Sequence, residues 1–570
     1  MPTVPPMPID LTVTDAPEVA AATASAAGDF ERIARELDHA AGDDAGLAAA
    51  FASFDDRRRR WLTDLAGVRL RYLQDTTDGS RVEAKGVLDA GVPQVATAEK
   101  AVKQRLLASP ARPSLEARLG PQAFACWGAD AEAHDASIAA DLVREKELEN
   151  AYTSLVSTAT VERDGAPQTL SEIAPRLQSH DRETRHAAER DRWSIFAAHR
   201  ERLDELFGEL VTVRDRMARA RGFGSFVELG YRRLHRIDYT AHDVARFREA
   251  VVRDVVPLAS RVVARLGRER GLDRVALWDE GTLATHPSLA PAIARERFVS
   301  AGIETLGALD PSLAEFGDFM RERDLFDVAA RPGKAFGAFC TMFPSHGSPF
   351  VFANFTGAPS DVRTLMHELG HAFQGYRSRS KVAVDYLSPT YDAAEIHSMA
   401  LEYLSWPQME RFFGASADAY RREHVLHALL FLPYAAAVDH FQHLVYAHPS
   451  ATPAERNAMW QDLERTYLPW RDYGDLAHPL AGGLWQGKRH IFLAPFYYID
   501  YALALTCALQ FWQRAETDRG TTLDAYVALC SRGGEAPFRE LVRSAGLASP
   551  FEDGLDGPVA AIRRTFAAAS

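Results

Sequence analysis

The sequence predicts a mainly helical protein with one small β-sheet, and three observations carry that prediction. Apolar residues recur at helical spacing through most of the chain, as at Leu203, Leu206, Phe207, Leu210 and Val211 within a charged background. One segment, 337–355, breaks this texture: it reads GAFCTMFPSHGSPFVFANF, rich in aromatic and small residues, with turn chemistry between Pro344 and Pro349. Helical patterning then resumes at Ser360 and runs nearly to the end.

Taken in order, residues 1–28 are rich in Pro, Ala, Thr and Ser with little periodicity and read as a mobile N-terminal tail. A helical N-terminal region follows over 29–190; within it 137–148 mixes apolar and charged residues as an amphipathic helix does. Region 191–570 holds the rest. Gly222 and Gly224 end one helix there. Thr240 with Asp243 marks the start of another, expected to stop near Val256 because Pro257 follows. The 337–355 segment predicts two short strands around a turn, ending at Asn354. After it, Ser360 suits the N-cap of a new helix. No internal repeat or long low-complexity linker interrupts the chain.

Bulk properties exclude several functions. The 570 residues are 47% hydrophobic and 25% charged, as in ordinary globular proteins. No stretch of about 20 apolar residues occurs, so no membrane span is expected. The start, MPTVPPMPIDL, lacks a basic n-region and an apolar h-region, so a secretory signal is not expected and a cytoplasmic location is. A net charge of -13 argues against nucleic acid or an anionic membrane as partner. The Arg57–Arg60 run reads as a solvated helix face. Cys126, Cys340, Cys507 and Cys530 lie far apart without CxxC spacing, and are expected as single buried thiols.

The chemistry is carried by residues 367–371, His-Glu-Leu-Gly-His. On a helix, positions i and i+4 share a face, so His367 and His371 can point at one ion. Glu368 can then reach a water on that ion, take its proton and deliver it to a leaving amine; zinc lowers the pKa of such a water to about 7. Gly370 costs about 1 kcal/mol in a helix interior, which is tolerable if another backbone packs closely there. Positions 374 and 377, where a metzincin needs Gly and His, hold Gln374 and Arg377. A glutamate from a following helix is the alternative third ligand. The stretch YDAAEIHSMALEYL offers Glu395 and Glu402, two turns apart on one face, with His397 pointing elsewhere. A capping box with Asp392 is the bland role for Glu395, and a surface carboxylate that for Glu402. His440 and His443, three apart on a helix, lack the carboxylates a second metal site needs. No phosphate loop, dinucleotide fingerprint or GxSxG is present.

Several segments in the same order resemble the oligoendopeptidase F branch of the thimet oligopeptidase-like zinc peptidases. They are GFGSFVELGYRRLHRIDYT, GAFCT, NFTG, TLMHELGHAFQ, AAEIHSMALEYL and WQGKRHIFLAPFYYIDYALA, together spanning 222–504. The resemblance implies a two-lobed helical body with a deep channel, its floor holding one zinc per chain. It assigns His367, His371 and Glu395 as ligands, Glu368 as general base and acid, and Glu402 as a group orienting a ligand histidine. It also implies that His490 contacts substrate and that Tyr501, or failing it Tyr498, hydrogen-bonds the oxyanion. Gln374 departs from a histidine common in the family. A peptide strand adding at Ala353–Phe355 would explain sequence-tolerant binding. The implied activity is hydrolysis of internal bonds in short unstructured peptides. The rivals are release of C-terminal dipeptides and peptide binding without catalysis.

Overall fold

The computed structural model describes residues 13–39, 42–163, 165–283 and 289–567. Helices dominate. The strands among the described residues are β1 (Thr160–Arg163), β2 (Ala166–Thr169), β3 (Phe326–Ala329), β4 (Phe339–Phe343) and β5 (Ser348–Phe355). They form two sheets where one was expected. β1 and β2 make an isolated antiparallel hairpin, and β3, β5 and β4 make a three-stranded sheet with β5 in the middle. β4 and β5 are the expected pair around the Pro344–Pro349 turn. β3 is too short to show an alternation of its own.

The chain folds into two compact units that interleave along the sequence. Unit 1 is Met1–Ala131, Ala290–Gly414 and Arg514–Leu547; unit 2 is Glu132–Leu289, Ala415–Gln513 and Ala548–Ser570. The expected division at 190/191 is therefore not a boundary between compact bodies.

Unit 1 begins with three long helices, Ala16–His39, Asp44–Gln74 and Gly79–Ala108. The first corrects the expected tail: residues 16–28 are helical, and residues 1–12 lie outside the described set. Its inner stripe, Ala16, Val19, Thr23, Ala26, Ala27 and Phe30, is buried. Four of those six residues are Ala or Thr, so the stripe is built mostly of small side chains. Small side chains let the helix pack closely on Gly79–Ala108, where a Cβ on Gly91 would stand 2.3 Å from the Thr23 methyl. Asp43 and Asp78 cap the next two helices by accepting from backbone N–H groups. The arginine run is also corrected. Arg57 and Arg58 are each 7% exposed. Arg57 Nε pairs with Asp29 at 3.0 Å, and Arg58 sits between Glu99 and Asp385. A mostly buried arginine is stable only with such partners, which lie too far off in sequence to be foreseen.

Unit 2 holds the Arg200–Ala220 helix, which ends before Gly222 and Gly224 as expected. Thr240 and Asp243 form a capping box on Ala241–Ala250. Pro257 does not end the helical run. A π-turn over Val251–Val255 absorbs the missing N–H, and Val256–Glu269 continues beyond it. Two buried arginines fix the segment that carries His490 and Tyr498. Arg214 donates to Glu145 (2.6 Å), Tyr446 (3.0 Å) and the Phe492 carbonyl (2.6 Å). Arg236 donates to the Phe496 carbonyl and to Asp500, both at 2.6 Å.

Candidate metal centre

The His367 helix spans Pro359–Ser378. Its N-cap is Ala358 rather than the expected Ser360, with Pro359 at N1, where a missing N–H costs nothing. Asp361 does the capping. Its carboxylate accepts from the N–H groups of Thr356, Gly357 and Ala358 at 2.6, 2.7 and 3.0 Å. Negative charge there also suits the helix dipole. Val362, Leu365, Met366, Leu369 and Phe373 bury one face. The opposite face carries His367 and His371, with ring centroids 4.9 Å apart.

Glu395 arrives on the helix Tyr391–Leu404. The crossing is tight because Gly370 lies against it. A Cβ at Gly370 would stand 2.6 Å from the His397 carbonyl oxygen and from the Ser398 Cα. That is the close backbone approach the glycine anticipated. It brings Glu395 Oε2 to 3.2 Å from His367 Nε2 and 3.4 Å from His371 Nε2. One ligand atom from each of the three lies within 4.8 Å of the others, the one such metal-capable group among the described residues. Ser398 Oγ donates to Glu395 Oε2 at 3.1 Å, a contact the sequence did not suggest. Glu402, the second candidate, instead accepts from His367 Nδ1 at 2.7 Å and so turns Nε2 toward Glu395. The Asp392 carboxylate is engaged locally by Thr390 and the Ala393 N–H.

Electrostatics at the centre call for a cation. Glu368, Glu395 and Glu402 are 5%, 8% and 6% exposed. Three buried carboxylates around two imidazoles leave excess negative charge in a region of low dielectric. Burial opposes charge on His367, yet Glu395 and Glu402 hold its protonated form well above the usual histidine range. Burial likewise opposes charge on Glu395, and the two histidines drive its pKa well below the ordinary value. Burial raises the pKa of Glu368, and its Oε2 has no hydrogen-bond partner within the protein. Two imidazoles and a carboxylate suit a divalent metal, and an orphaned carboxylate oxygen beside them suits a water on that metal.

Neighbouring groups have structural roles. His397 is fully buried with Nδ1 3.2 Å from the Ala394 carbonyl, and burial lowers its pKa to about 4. Gln374 donates to Ser378 Oγ and the Leu387 carbonyl at 3.0 and 2.9 Å, on the buried side of the helix. The Cys340 thiol on β4 is pushed up by burial and by Glu368 nearby. The expected edge at Ala353–Phe355 lies at the end of β5, the central strand. β5 pairs with β3 as far as Phe355 but with β4 only over Ser348–Phe352, so Ala353–Phe355 has a strand partner on one side alone, and half-exposed β4 is an outer strand of the sheet.

In unit 2, His490, Tyr498 and Tyr501 form an aromatic cluster. Ring centroids are 4.9 Å apart for His490–Tyr498, 5.8 Å for Tyr498–Tyr501 and 6.1 Å for His490–Tyr501. Phe496, at φ 66°, makes the sharp bend before the Tyr498–Ala515 helix. Arg236 on its carbonyl and Gln442 on its N–H (2.8 Å) hold that strained conformation. Burial lowers the His490 pKa to about 4. Burial, with Tyr434 and Tyr501 nearby, keeps the Tyr498 phenol protonated well above its ordinary range. Sequence reasoning missed Lys488, whose Nζ donates to Tyr498 Oη at 2.8 Å. His440 and His443 are engaged separately, His440 by Tyr467 and His443 by Asp439 and Tyr231.

Comparison with known proteins agrees with this chemistry. A solved oligoendopeptidase F structure is 40% identical over 98% of both chains, with a TM-score of 0.87. PZ peptidase A with an inhibitor is 36% identical, with the same coverage and TM-score. An oligoendopeptidase F from Bacillus anthracis str. Ames is 35% identical over 98% of this chain and 97% of its own, with a TM-score of 0.82. Oligopeptidase PepF of Bacillus subtilis is 22% identical over 307 residues, a match spanning 44% of its length. The "Peptidase M3 N-terminal domain" model matches residues 21–134. Because the "Peptidase family M3" model itself covers residues 176–558, including the His367 helix and the Tyr498 segment, the chain belongs to peptidase family M3 and is a metallopeptidase.

Proposed function

We propose that the protein is a zinc-dependent oligoendopeptidase that cuts internal bonds of short, unstructured peptides. The observation that carries this reading is the set of half-buried His367 and His371 with buried Glu395, beside the unpartnered Glu368 Oε2. Two imidazoles and one carboxylate favour zinc. His367 Nε2, His371 Nε2 and Glu395 would hold it. Zinc bound there would polarise the scissile carbonyl and acidify the attacking water.

The protein supplies the remaining steps. Glu368 takes the proton of the water at its free oxygen and returns it to the leaving nitrogen as the C–N bond breaks. A pKa raised by burial suits a group that must both accept and release that proton. Glu402 keeps His367 in one tautomer. His490, Tyr498 and Tyr501 are proposed to bind substrate and the oxyanion, a role that rests on the family resemblance of their segment. The substrate backbone is proposed to pair with the half-exposed edge of β4, which needs no particular side chains. The four cysteines are free thiols, which suits the reducing cytoplasm.

The test is mass spectrometry of a mixture of unstructured peptides, about 5 to 20 residues long, after incubation with zinc-loaded enzyme. Internal cuts should appear with the wild type and fall by about 10²- to 10⁴-fold with Glu368→Gln. Stepwise loss from one end would replace this reading with an exopeptidase. Intact peptides throughout would leave peptide binding without catalysis.

A further inference from the structure

The aromatic cluster of unit 2 contains a cation that the mechanism above does not use. Lys488 joins the turn Leu484–Gly487 to the helix Arg489–Leu493. Its Nζ lies 2.8 Å from Tyr498 Oη, 4.0 Å from the Tyr498 ring centroid and 5.1 Å from that of Tyr434. No carboxylate pairs with it among the described residues. Glu280 is taken by Arg471 at 2.7 Å. Glu189 lies 3.7 Å from Arg192, and Arg192 itself adds positive charge near Lys488. Arg489 and His490 are on its own segment. Glu423 and His427 line the cavity of about 300 Å³ that Tyr434 and Tyr498 share. A lysine held among aromatic rings without a carboxylate is costly, and such groups concentrate at functional sites.

We infer that Lys488 is a positioning residue that holds the Tyr498 hydroxyl as a directed, polarised hydrogen-bond donor for the peptidase reaction. An ammonium has donors only. In the Lys488–Tyr498 bond the phenol oxygen must therefore accept, and its own hydrogen is left to point elsewhere. The adjacent positive charge strengthens that hydrogen as a donor to developing negative charge. A neutral amine would reverse the bond, because it accepts from the phenol and uses up the hydrogen. Burial, with Arg192 nearby, lowers the Lys488 pKa to about 7, so the reversal falls near neutral pH. The inference rests on the proposed substrate role of Tyr498.

The test is a double-mutant cycle on the zinc-loaded enzyme, with kcat and KM measured from pH 5.5 to about 9. Lys488→Met should lower kcat at least tenfold at pH 6, toward the ~100-fold that loss of an oxyanion donor costs, with KM within about twofold. The loss should vanish in the Tyr498→Phe background. Lys488→Arg, charged at every pH, should keep activity and move the alkaline decline upward. Multiplying effects in the double variant, or a wild-type kcat for Lys488→Met, would overturn the inference and leave the Tyr498 role standing. Wild-type kcat for Tyr498→Phe would overturn both. If Lys488→Met does not fold, acetic anhydride labelling of wild-type protein across pH decides. Reactivity of Lys488 that titrates together with the alkaline decline of kcat supports the inference, and a decline that does not follow the titration of Lys488 overturns it.

Discussion

At the residue scale, function depends on groups that are not ligands but fix those that are. Glu402 is the clearest case. From the sequence, Glu395 and Glu402 were equivalent candidates on one helix face, and spacing could not separate them. The structure separates them by which imidazole nitrogen each reaches: Nε2 for Glu395, Nδ1 for Glu402. Glu402→Gln should weaken zinc binding by about 10- to 100-fold, measured by competition with a chelator, while the fold survives. Asp385 makes a separate case, about stability. Burial opposes its charge, but Arg58 more than offsets this and holds the carboxyl at about 2. A folded-state pKa below the ordinary value of about 3.8 gives stability that is present above pH 4 and lost as pH falls through 2. Asp385→Asn should therefore cost about 2 kcal/mol in urea unfolding at pH 7, and less than half of that at pH 2.5. An equal cost at both values would mean that the pair's charge contributes nothing.

At the element scale, one glycine sets the centre. The His-Glu-x-x-His pattern was legible because a helix repeats every 3.6 residues, and Gly370 hinted at a close neighbour. What the pattern could not show is the crossing itself, a contact with His397 and Ser398 on another helix. In an exposed helix, Gly→Ala stabilises by about 1 kcal/mol. Here the sign reverses. A methyl at 370 would meet the His397 carbonyl at 2.6 Å, inside van der Waals contact, and neither backbone can yield without moving the other. Gly370→Ala should destabilise by about 1 to 3 kcal/mol and push Glu395 from the histidines, so that zinc affinity falls with the melting temperature. Unchanged affinity in a destabilised variant would mean that the crossing serves packing alone. Other elements hid for related reasons. The first turns of Ala16–His39 bury mainly Ala and Thr, small residues that also fill the Pro-, Ala- and Thr-rich stretch before them, so the start of the helix merged with the expected tail. The π-turn before Pro257 depends on a backbone adjustment that residue identity does not encode.

At the scale of the whole molecule, helical content was legible from composition and periodicity, whereas the interleaving of the two units was not. Unit 1 is assembled from three stretches separated by 158 and 99 residues, and such contacts leave no periodic trace. That assembly bears on what a metal can contribute. The ligands occupy two adjacent helices of unit 1. The large apolar cluster of the same unit, built on Phe30, Phe54, Trp61, Leu88, Val102, Phe124 and Trp127, contains none of them. The buried core of unit 2, with Phe207, Trp460, Trp485 and Phe492, contains none either. Removing the metal should thus abolish catalysis and leave the fold. Dialysis against a chelator is expected to stop peptide hydrolysis completely and to lower the melting temperature by a few degrees, because metal binding stabilises only the state that can bind it. Far-ultraviolet circular dichroism should stay within error of the untreated enzyme, and added zinc should restore turnover. Collapse of the helical signal on chelation would instead make the ion a structural support. The centre would then be part of the core, and its excess of buried carboxylate charge would be a demand of folding and not of catalysis.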